Sequence, residues 1–343
     1  MSRLSVVIAA SRPRELAACL AGLAAQQAPV GALEAIAVVD PGTTVEEIPA
    51  GLTVTILTSR DPHPAIKRNT GAAAAKGDVL AFLDDDAVPP PGWAATALRL
   101  ASTTDEAVWG GPNRDEREHW RYRLAQAVQA HPLFEGLRSH RGLAEIRDVG
   151  IHDVPACNMI VPRALFERLG GFDGRLSYFL DDLDLNFRAK AAGARLRLTP
   201  ALAVQHDLRP LVWPYLRYKF RTRFMVGALA PGVPHLYADA APLKLVHVTW
   251  WLAVPLAFVC WRWPATIAVL LACYLIAAVA GFGGRLRDPV VAIFGPPTLF
   301  LAHLCAYVGY TSGRISAWWR TRKACLSSGT SATAGAPPSS PRA

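Results

Sequence analysis

Three adjacent carboxylates, Asp84, Asp85 and Asp86, directly follow the apolar run at residues 79–83. Charges this close repel one another unless they share a cation. Carboxylates with open positions suit Mg²⁺ or Mn²⁺, which complete their coordination with water and phosphate oxygens. An isolated acidic triplet is as often a solvated turn, but the position at the end of a buried strand favours a cation site.

A second acidic cluster, formed by Asp181, Asp182 and Asp184, comes much later in the chain. Residues 183–192 have a helical pattern, and acidic residues in the first turn of a helix stabilise its dipole by about 0.3–1 kcal/mol. That structural role would be a sufficient explanation if the cluster stood alone. Together, the two clusters predict a cation site and a separate carboxylate base, the two parts that metal-assisted group transfer requires.

The elements that must position these residues are short apolar strands separated by helical segments. Four strand-like runs rich in β-branched residues lie at residues 4–10, 35–39, 52–57 and 79–83. Residues 15–27 and 65–76 have helical length and an alanine-rich composition. This alternation predicts a doubly wound α/β fold with a mostly parallel sheet covered on both faces. Ligands of such sheets bind beyond the carboxyl ends of the strands, where Asp40 and Asp84 lie.

Several short motifs occur in a fixed order around the acidic residues. They are Ser5-Val-Val-Ile-Ala, Val38-Val39-Asp40, Arg68-Asn69-Thr70-Gly71, the Asp triplet, Asn158-Met159, Gly170-Gly171-Phe172-Asp173, Asp181-Asp182-Leu183-Asp184-Leu185 and His206. Each motif is weak alone, but as an ordered set over residues 4–210 they make the chain resemble the family 2 glycosyltransferases. The resemblance implies the Rossmann-like GT-A fold, a UDP- or GDP-sugar as donor, and inversion at the anomeric carbon of the transferred sugar.

The same resemblance implies roles for four residues on the donor side. Asp40 would contact the base or ribose of the nucleotide. Arg68 would meet the diphosphate, although an exposed helix arginine is an equally good explanation of that residue. Asp84 and Asp85 would also belong to the donor site.

The resemblance further implies a metal site and a catalytic base. Asp84 and Asp86 would be the two ends of an Asp-x-Asp that binds Mg²⁺ or Mn²⁺, and His206 matches a histidine that completes this site in some members. A lone histidine after a strand is as often structural. Asp182 would be the base, with Asp181 in the place where the family usually has a longer Glu.

Charge and apolar content predict a membrane as a further partner. The formal net charge is +9, and basic clusters at residues 217–223, 285–287 and 314–323 lie close to apolar segments. Anionic lipid headgroups or a diphosphate suit this arrangement better than nucleic acid does. The six cysteines contain no CxxC pair, so the spacing implies neither a zinc site nor a disulfide framework.

The predicted organisation places the catalytic domain first and the membrane segments last. The predicted catalytic domain is 1–210, with a donor half at 1–115, a helical or mobile insertion at 116–153 and an acceptor half at 154–210. An amphipathic interfacial segment is predicted at 211–242, and a basic, then disordered tail at 313–343. Between them, 243–312 holds the predicted membrane segments, at 243–261, 265–282 and 289–311. Residues 1–12 lack the pattern of an export signal, which places the catalytic domain in the cytoplasm and the chain in the cytoplasmic membrane as a multi-pass protein.

The third apolar run is interrupted by Gly295-Pro296-Pro297. A full third crossing would leave several basic residues outside, against the positive-inside rule. We therefore expect two full spans and one re-entrant or interfacial segment, with the tail in the cytoplasm.

The predicted function is transfer of a sugar from a nucleotide-sugar to a lipid-linked or envelope glycan acceptor. A processive polysaccharide synthase is one alternative, but the Gln-x-x-Arg-Trp motif of the similar synthases is missing from the sequence. A nucleotidyl- or phosphotransferase would use the Asp triplet without needing the second cluster. A non-catalytic, membrane-tethered sugar-binding protein would be expected to have lost the metal or base carboxylates, which are present here.

Overall fold

The structure is a computed structural model that describes residues 2–27, 29, 31–45, 47–102, 106–115, 119–129, 131, 133, 143–176, 180–206, 213–229 and 264–327. Its strands are β1 (Leu4–Ala9), β2 (Leu33–Val39), β3 (Thr53–Thr58), β4 (Val79–Asp84), β5 (Ala87–Val88), β6 (Ala107–Gly110), β7 (Asn113–Arg114), β8 (Arg147–Asp148), β9 (Asn158–Pro162), β10 (Arg195–Leu198) and β11 (Val204–His206). Its α-helices are α1 (Pro13–Ala24), α2 (Pro64–Ala74), α3 (Trp93–Ala101), α4 (Trp120–Gln129), α5 (Arg163–Arg168), α6 (Leu180–Ala191), α7 (Trp213–Leu229), α8 (Pro264–Phe282) and α9 (Pro289–Ser327).

Eight of these strands form one mixed sheet in the order β3-β2-β1-β4-β9-β6-β10-β8. Strands β3, β2, β1 and β4 are parallel neighbours, as predicted from their apolar runs. Strand β9 enters antiparallel between β4 and β6. The predicted mostly parallel α/β sheet is therefore confirmed, and β9 brings a distant part of the chain beside the end of β4.

Strand β4 shows why these runs are apolar on both sides. Its Ala81 and Leu83 lie in one core cluster, together with the buried faces of α1 and α3. Its Leu80 and Phe82 lie in another, together with α2, α5 and α6. Because alternate side chains point to opposite faces, a strand covered on both faces is apolar at nearly every position.

A second, three-stranded sheet has the order β5-β11-β7. Strand β11 pairs with β5 so that His206 lies opposite Ala87. Since Ala87 follows Asp86 directly, this pairing carries His206 to the Asp triplet. Gly111, just before β7, makes the tight packing possible, because a Cβ there would lie 2.2 Å from the carbonyl oxygen of Leu202.

The segment at residues 116–153 is more regular than its sequence indicates. Helix α4 occupies its first part, and the two-residue strand β8 joins the edge of the large sheet beside β10. Strand β8 was not predicted from the sequence. A two-residue strand is too short to leave an alternating pattern in the sequence.

Helices cover much of the predicted membrane region. Helix α8 covers the run at 265–282, whereas the run at 243–261 and the tail after Ser327 lie outside the described residues. Among the helices that the structure describes, one, at Pro289–Arg322, is long and apolar enough by composition to cross a membrane. The prediction of several spans is not confirmed.

The predicted break at Gly295-Pro296-Pro297 is wrong. Helix α9 runs without interruption from Pro289 to Ser327 through both prolines. An interior proline costs a helix roughly 3 kcal/mol or more, and the packing around this point offsets the cost. Val291 and Leu299 are buried on either side of the prolines, in one cluster with Leu124 of α4 and Phe282 of α8.

Helices α7 and α9 pack with their backbones in close approach. A Cβ at Gly309 would lie 2.4 Å from the carbonyl oxygen of Phe220, and one at Gly313 would lie 2.1 Å from that of Phe224. Two glycines four residues apart form one groove along a helix, which lets the partner backbone come close. Residues 213–229 of the predicted interfacial segment are thus a helix, which rests in this groove, and residues 230–242 lie outside the described residues.

Candidate active site

Arg68 on α2 joins the two acidic clusters. Its guanidinium donates one hydrogen bond to Asp84 Oδ1 (2.8 Å) and another to Asp181 Oδ2 (2.9 Å). The side chain is 8% exposed, so the alternative of an exposed helix arginine is wrong. A buried cation between two carboxylates fixes both of them in place, because removing it would leave uncompensated charge inside the protein. The clusters thus face one cleft.

Asp182 lies in the first turn of α6 and is buried. Its Oδ2 accepts a hydrogen bond from the backbone N–H of Ala156 (3.3 Å), and its Oδ1 accepts one from that of Leu183 (2.8 Å). Burial, helped by the charge of Asp181 and opposed by that of Arg68, raises the pKa of Asp182 to about 7. A carboxylate with a near-neutral pKa is suited to general base catalysis. The catalytic role itself stays a prediction.

The structure brings together the three predicted metal ligands. His206 Nε2 lies 3.4 Å from Asp86 Oδ1 and 3.8 Å from Asp84 Oδ2. The ligand atoms of Asp84, His206 and a further residue, Cys157, all lie within 4.8 Å of one another. Asp86 Oδ1 and both ring nitrogens of His206 are buried without a hydrogen-bond partner.

These atoms fit a divalent cation. Buried polar atoms without partners are costly, and a cation in contact with Asp86 Oδ1 and one ring nitrogen of His206 would satisfy those two atoms. Burial alone would raise the pKa of Asp84, but His206 and Arg68 outweigh it and hold the pKa well below its usual range, so the carboxylate is ionised. Burial would lower the pKa of His206, and Asp84 and Asp86 outweigh that effect and raise it.

Asp85 is held by the turn between β1 and α1, and its contact with the donor stays a prediction. Its side chain accepts hydrogen bonds from the backbone N–H groups of Ser11 and Arg12 (2.8 Å each), and it pairs with the Arg12 guanidinium. The same guanidinium pairs with Asp86 Oδ2 at 2.9 Å, which leaves Asp86 Oδ1 for the cation site. The middle carboxylate therefore fixes the turn between β1 and α1, while Asp84 and Asp86 lie beside His206.

Asp40 lies at the end of β2 and pairs with Lys67. The Lys67 ammonium is 2.7 Å from Asp40 Oδ1 and donates to the carbonyl oxygen of Ala10, also at 2.7 Å. Lys67 is 3% exposed, which is rare for a lysine unless it is paired. This pair links the ends of β1 and β2 at the edge where a nucleotide would bind. The donor role of Asp40 stays a prediction.

Sequence reasoning missed Lys67 and Cys157. Lys67 directly precedes the predicted Arg68 on the same helix. The available signal was a lysine that interrupts an apolar face of this helix. Cys157 directly precedes the Asn158-Met159 motif. Nothing local distinguishes it, because its place beside Asp84 depends on the pairing of Asn158 with Leu83 across β9 and β4.

The fold and cleft define an α/β protein with an acidic, cation-competent site at the carboxyl edge of its parallel strands. Residues 5–170 match the family model for glycosyl transferase family 2. Pre-mycofactocin glycosyltransferases from two strains of Mycobacterium tuberculosis are 29% identical over 195 residues, which cover 54% of this chain and 38% of the relatives. The chain thus spans less than half the length of the curated relatives it matches.

A solved structure shares the overall fold. The mannosyltransferase from Pyrobaculum calidifontis, in complex with GDP-Man and Mn²⁺, superposes with a TM-score of 0.57 at 18% identity, over 88% of this chain and 86% of that one. The chain therefore carries a family 2 glycosyltransferase domain with the GT-A fold, as its ordered motifs predict.

Proposed function

We propose that the protein transfers a sugar from a nucleotide-sugar to an acceptor hydroxyl by a single, metal-assisted displacement that inverts the anomeric carbon. The observation that carries this proposal is the Arg68 bridge between Asp84 and Asp181. It holds the predicted cation ligands and the predicted base at one cleft, as a direct displacement requires.

Each residue then has a definite task. Asp84, Asp86 and His206 would hold a divalent cation, which would supply positive charge against the departing nucleoside diphosphate. Asp182 accepts the proton of the attacking hydroxyl. Arg68 keeps the two carboxylate clusters at a fixed separation. Asp40, fixed by its buried ion pair, contacts the nucleoside at the edge of the sheet.

Inversion follows from the separate positions of base and leaving group. The acceptor is deprotonated by Asp182 on one side of the sugar while the diphosphate leaves on the side of the Asp triplet. The transition state resembles an oxocarbenium ion, as in glycoside hydrolysis. A covalent sugar–enzyme intermediate is not needed.

The proposed acceptor is a lipid-linked or envelope glycan, and the proposed site of action is a membrane surface. Leu180, which directly precedes Asp181, packs in one cluster with Val226 of α7 and next to Tyr310 of α9. Helix α9 therefore packs, through Tyr310, against the apolar cluster that contains the residue before Asp181. Ile293, Phe294 and Ile315 on α9 are exposed, as they would be on a surface covered by lipid.

The experiment is a panel of UDP- and GDP-sugars incubated with the purified protein, a membrane lipid extract and Mg²⁺ or Mn²⁺. GDP-sugars are included because the mannosyltransferase with the shared fold is in complex with GDP-Man. Release of nucleoside diphosphate from one donor, lost in EDTA, is the expected result. Release of a sugar 1-phosphate, or of a nucleoside monophosphate, from the donors would instead favour a nucleotidyl- or phosphotransferase and overturn the proposal.

A further inference from the structure

Cys157 occupies a place in the cleft where the cation is expected. Its sulfur lies within 4.8 Å of the ligand atoms of Asp84 and His206. The register of β9 against β4 sets this position. The strands are antiparallel and Asn158 pairs with Leu83, so the residue before Asn158 lies at the same end as the residue after Leu83, which is Asp84. The thiol is thus fixed by the main sheet.

The backbone at this point is also held by buried side-chain hydrogen bonds. Asn158 is fully buried, and its side-chain amide donates to the carbonyl oxygen of Leu202 at 2.7 Å. Leu202 lies just before β11, the strand that carries His206. The same amide therefore ties the Cys157 segment to the His206 segment, so the sulfur and the imidazole keep their separation.

The immediate surroundings of the sulfur suit a metal-bound thiolate. The side-chain amide of Asn113 on β7 donates a hydrogen bond to Cys157 Sγ at 3.1 Å. Donors to a ligand sulfur orient it and support its charge, in the manner of outer-shell partners at metal sites. This amide would therefore stabilise the anionic form that binds a cation.

A second observation points to the same cation. Asp86 has a side chain that is 10% exposed, and its Oδ1 is buried without a hydrogen-bond partner, 3.4 Å from His206 Nε2. The unpartnered oxygen thus faces the imidazole that lies beside Cys157. A cation among these groups would satisfy the oxygen, the imidazole nitrogen and the sulfur together.

We propose that Cys157 is a direct ligand of the cation at the Asp84–His206 site, and that this thiolate makes the site prefer softer divalent cations, such as Co²⁺, Zn²⁺ or Cd²⁺, over Mg²⁺. Carboxylates and waters alone suit Mg²⁺, whereas the addition of a thiolate and an imidazole to the carboxylates of Asp84 and Asp86 makes the set suit softer ions. The inference rests on the proposed cation role of this site and names a ligand that the Asp-x-Asp motif does not contain.

Ligation changes the protonation of the sulfur. An ordinary cysteine thiol is mostly neutral at pH 7, and its thiolate forms when a cation binds. Binding then forms the metal–sulfur bond, and the thiol proton leaves to solvent. No oxidant or reductant takes part.

The first test is a Co²⁺ titration of the purified, metal-free full chain, followed by near-ultraviolet absorption. A thiolate bound to Co²⁺ gives a charge-transfer band, which we expect in the wild type and in Cys273→Ser. Cys273 is an exposed cysteine on α8 and serves as the matched control. The band should be lost in Cys157→Ser. A wild type that binds Co²⁺ without the band, or a band that persists in Cys157→Ser, would overturn the proposal.

The second test compares Cd²⁺ and Mg²⁺ affinities by calorimetry. Loss of the sulfur should weaken Cd²⁺ binding by at least roughly 10- to 100-fold, the range for removal of an outer-shell partner, because a direct ligand contributes more. It should change Mg²⁺ binding by much less. Circular dichroism of Cys157→Ser checks that the variant is folded, and Cys157→Ala provides a second variant. An equal loss for both ions would contradict a thiolate contact. Neither test measures sugar transfer, so their failure would leave the proposed function standing.

Discussion

The cleft and the carboxy-terminal helices both differ from an ordinary globular protein in which kinds of side chain they bury, but in opposite ways. In the cleft, charged groups lie inside, with Lys67, Arg68 and Asp181 all buried. Along α9, large apolar side chains lie outside, with Ile293 65% exposed and Trp318 53% exposed. Most proteins keep charge out and large apolar groups in, so each departure carries information.

The difference teaches how each region relates to its surroundings. The buried charges of the cleft are matched within the protein, by Asp40 on Lys67 and by two aspartates on Arg68, and this matching makes the cleft rigid. The exposed apolar groups of α9, such as Ile293 and Trp318, keep more than half of their surface uncovered by the described residues. Lipid would cover these side chains, so the function of this region depends on what surrounds it.

The largest effect is expected from the cation ligands. Asp84→Asn and Asp86→Asn should each reduce sugar transfer by at least about 10³-fold, since several kcal/mol of charge stabilisation in the transition state would be lost. Turnover measured as nucleoside diphosphate release at saturating Mn²⁺ checks this.

Asp148→Asn is the matched control for these variants. Asp148 is an exposed carboxylate on β8 that pairs with Arg197, away from the cleft. We expect this variant to keep wild-type turnover. If the Asp84 variant retained activity that EDTA did not affect, the cleft would have no cation-dependent role.

The next effect concerns Asp182. Asp182→Asn should lower kcat by about 10² to 10⁴, the usual contribution of a positioned general base, while nucleotide affinity stays within a few fold of the wild type. Calorimetry with the nucleoside diphosphate separates binding from transfer. A wild-type rate in this variant would place the base elsewhere in the cleft.

The pH dependence follows from the same residue. A base must be deprotonated, and the pKa of Asp182 is raised to about 7, so kcat/KM should fall about tenfold per pH unit below 7 and level off above it. Asp182→Asn should lack this fall in kcat/KM at low pH.

The raised pKa also predicts how stability depends on pH. In the free protein, the protonated carboxyl is the form favoured by folding, so its contribution to stability is lost as pH rises through about 7. Asp182→Asn should therefore melt higher than the wild type at pH 8, and a lower Tm there would contradict the raised pKa.

The smallest effect is expected from the exposed apolar side chains of α9. Replacing the exposed pair Trp318 and Trp319 by Ser should weaken binding to vesicles of mixed neutral and anionic lipid several fold, because aromatic rings favour the membrane interface. A matched double variant on the sheet domain, Ile48→Ser with Ile146→Ser, also removes two exposed apolar side chains. It should bind as the wild type does. Equal losses in both would mean that α9 has no special affinity for lipid.

Much of the fold and part of the site could be predicted from sequence because they depend on local patterns. An apolar run long enough for a buried strand, followed at once by carboxylates, predicts both β4 and the edge at which Asp84 lies. The helical run after Asp181 predicts α6 in the same way. The order of the motifs adds the family and hence the GT-A fold.

The tertiary structure decided which of these residues meet. His206 reaches Asp86 only because β11 pairs with β5, and Cys157 reaches Asp84 only because β9 pairs antiparallel with β4. Strand pairings of this kind join residues that are far apart in the chain, and they leave no repeating pattern in the sequence. The tertiary structure also placed Asp85 against the β1–α1 turn, where the backbone N–H groups of Ser11 and Arg12 donate hydrogen bonds to it. Packing likewise carried α9 through Pro296 and Pro297, because burial along a whole helix outweighs a local preference to end it.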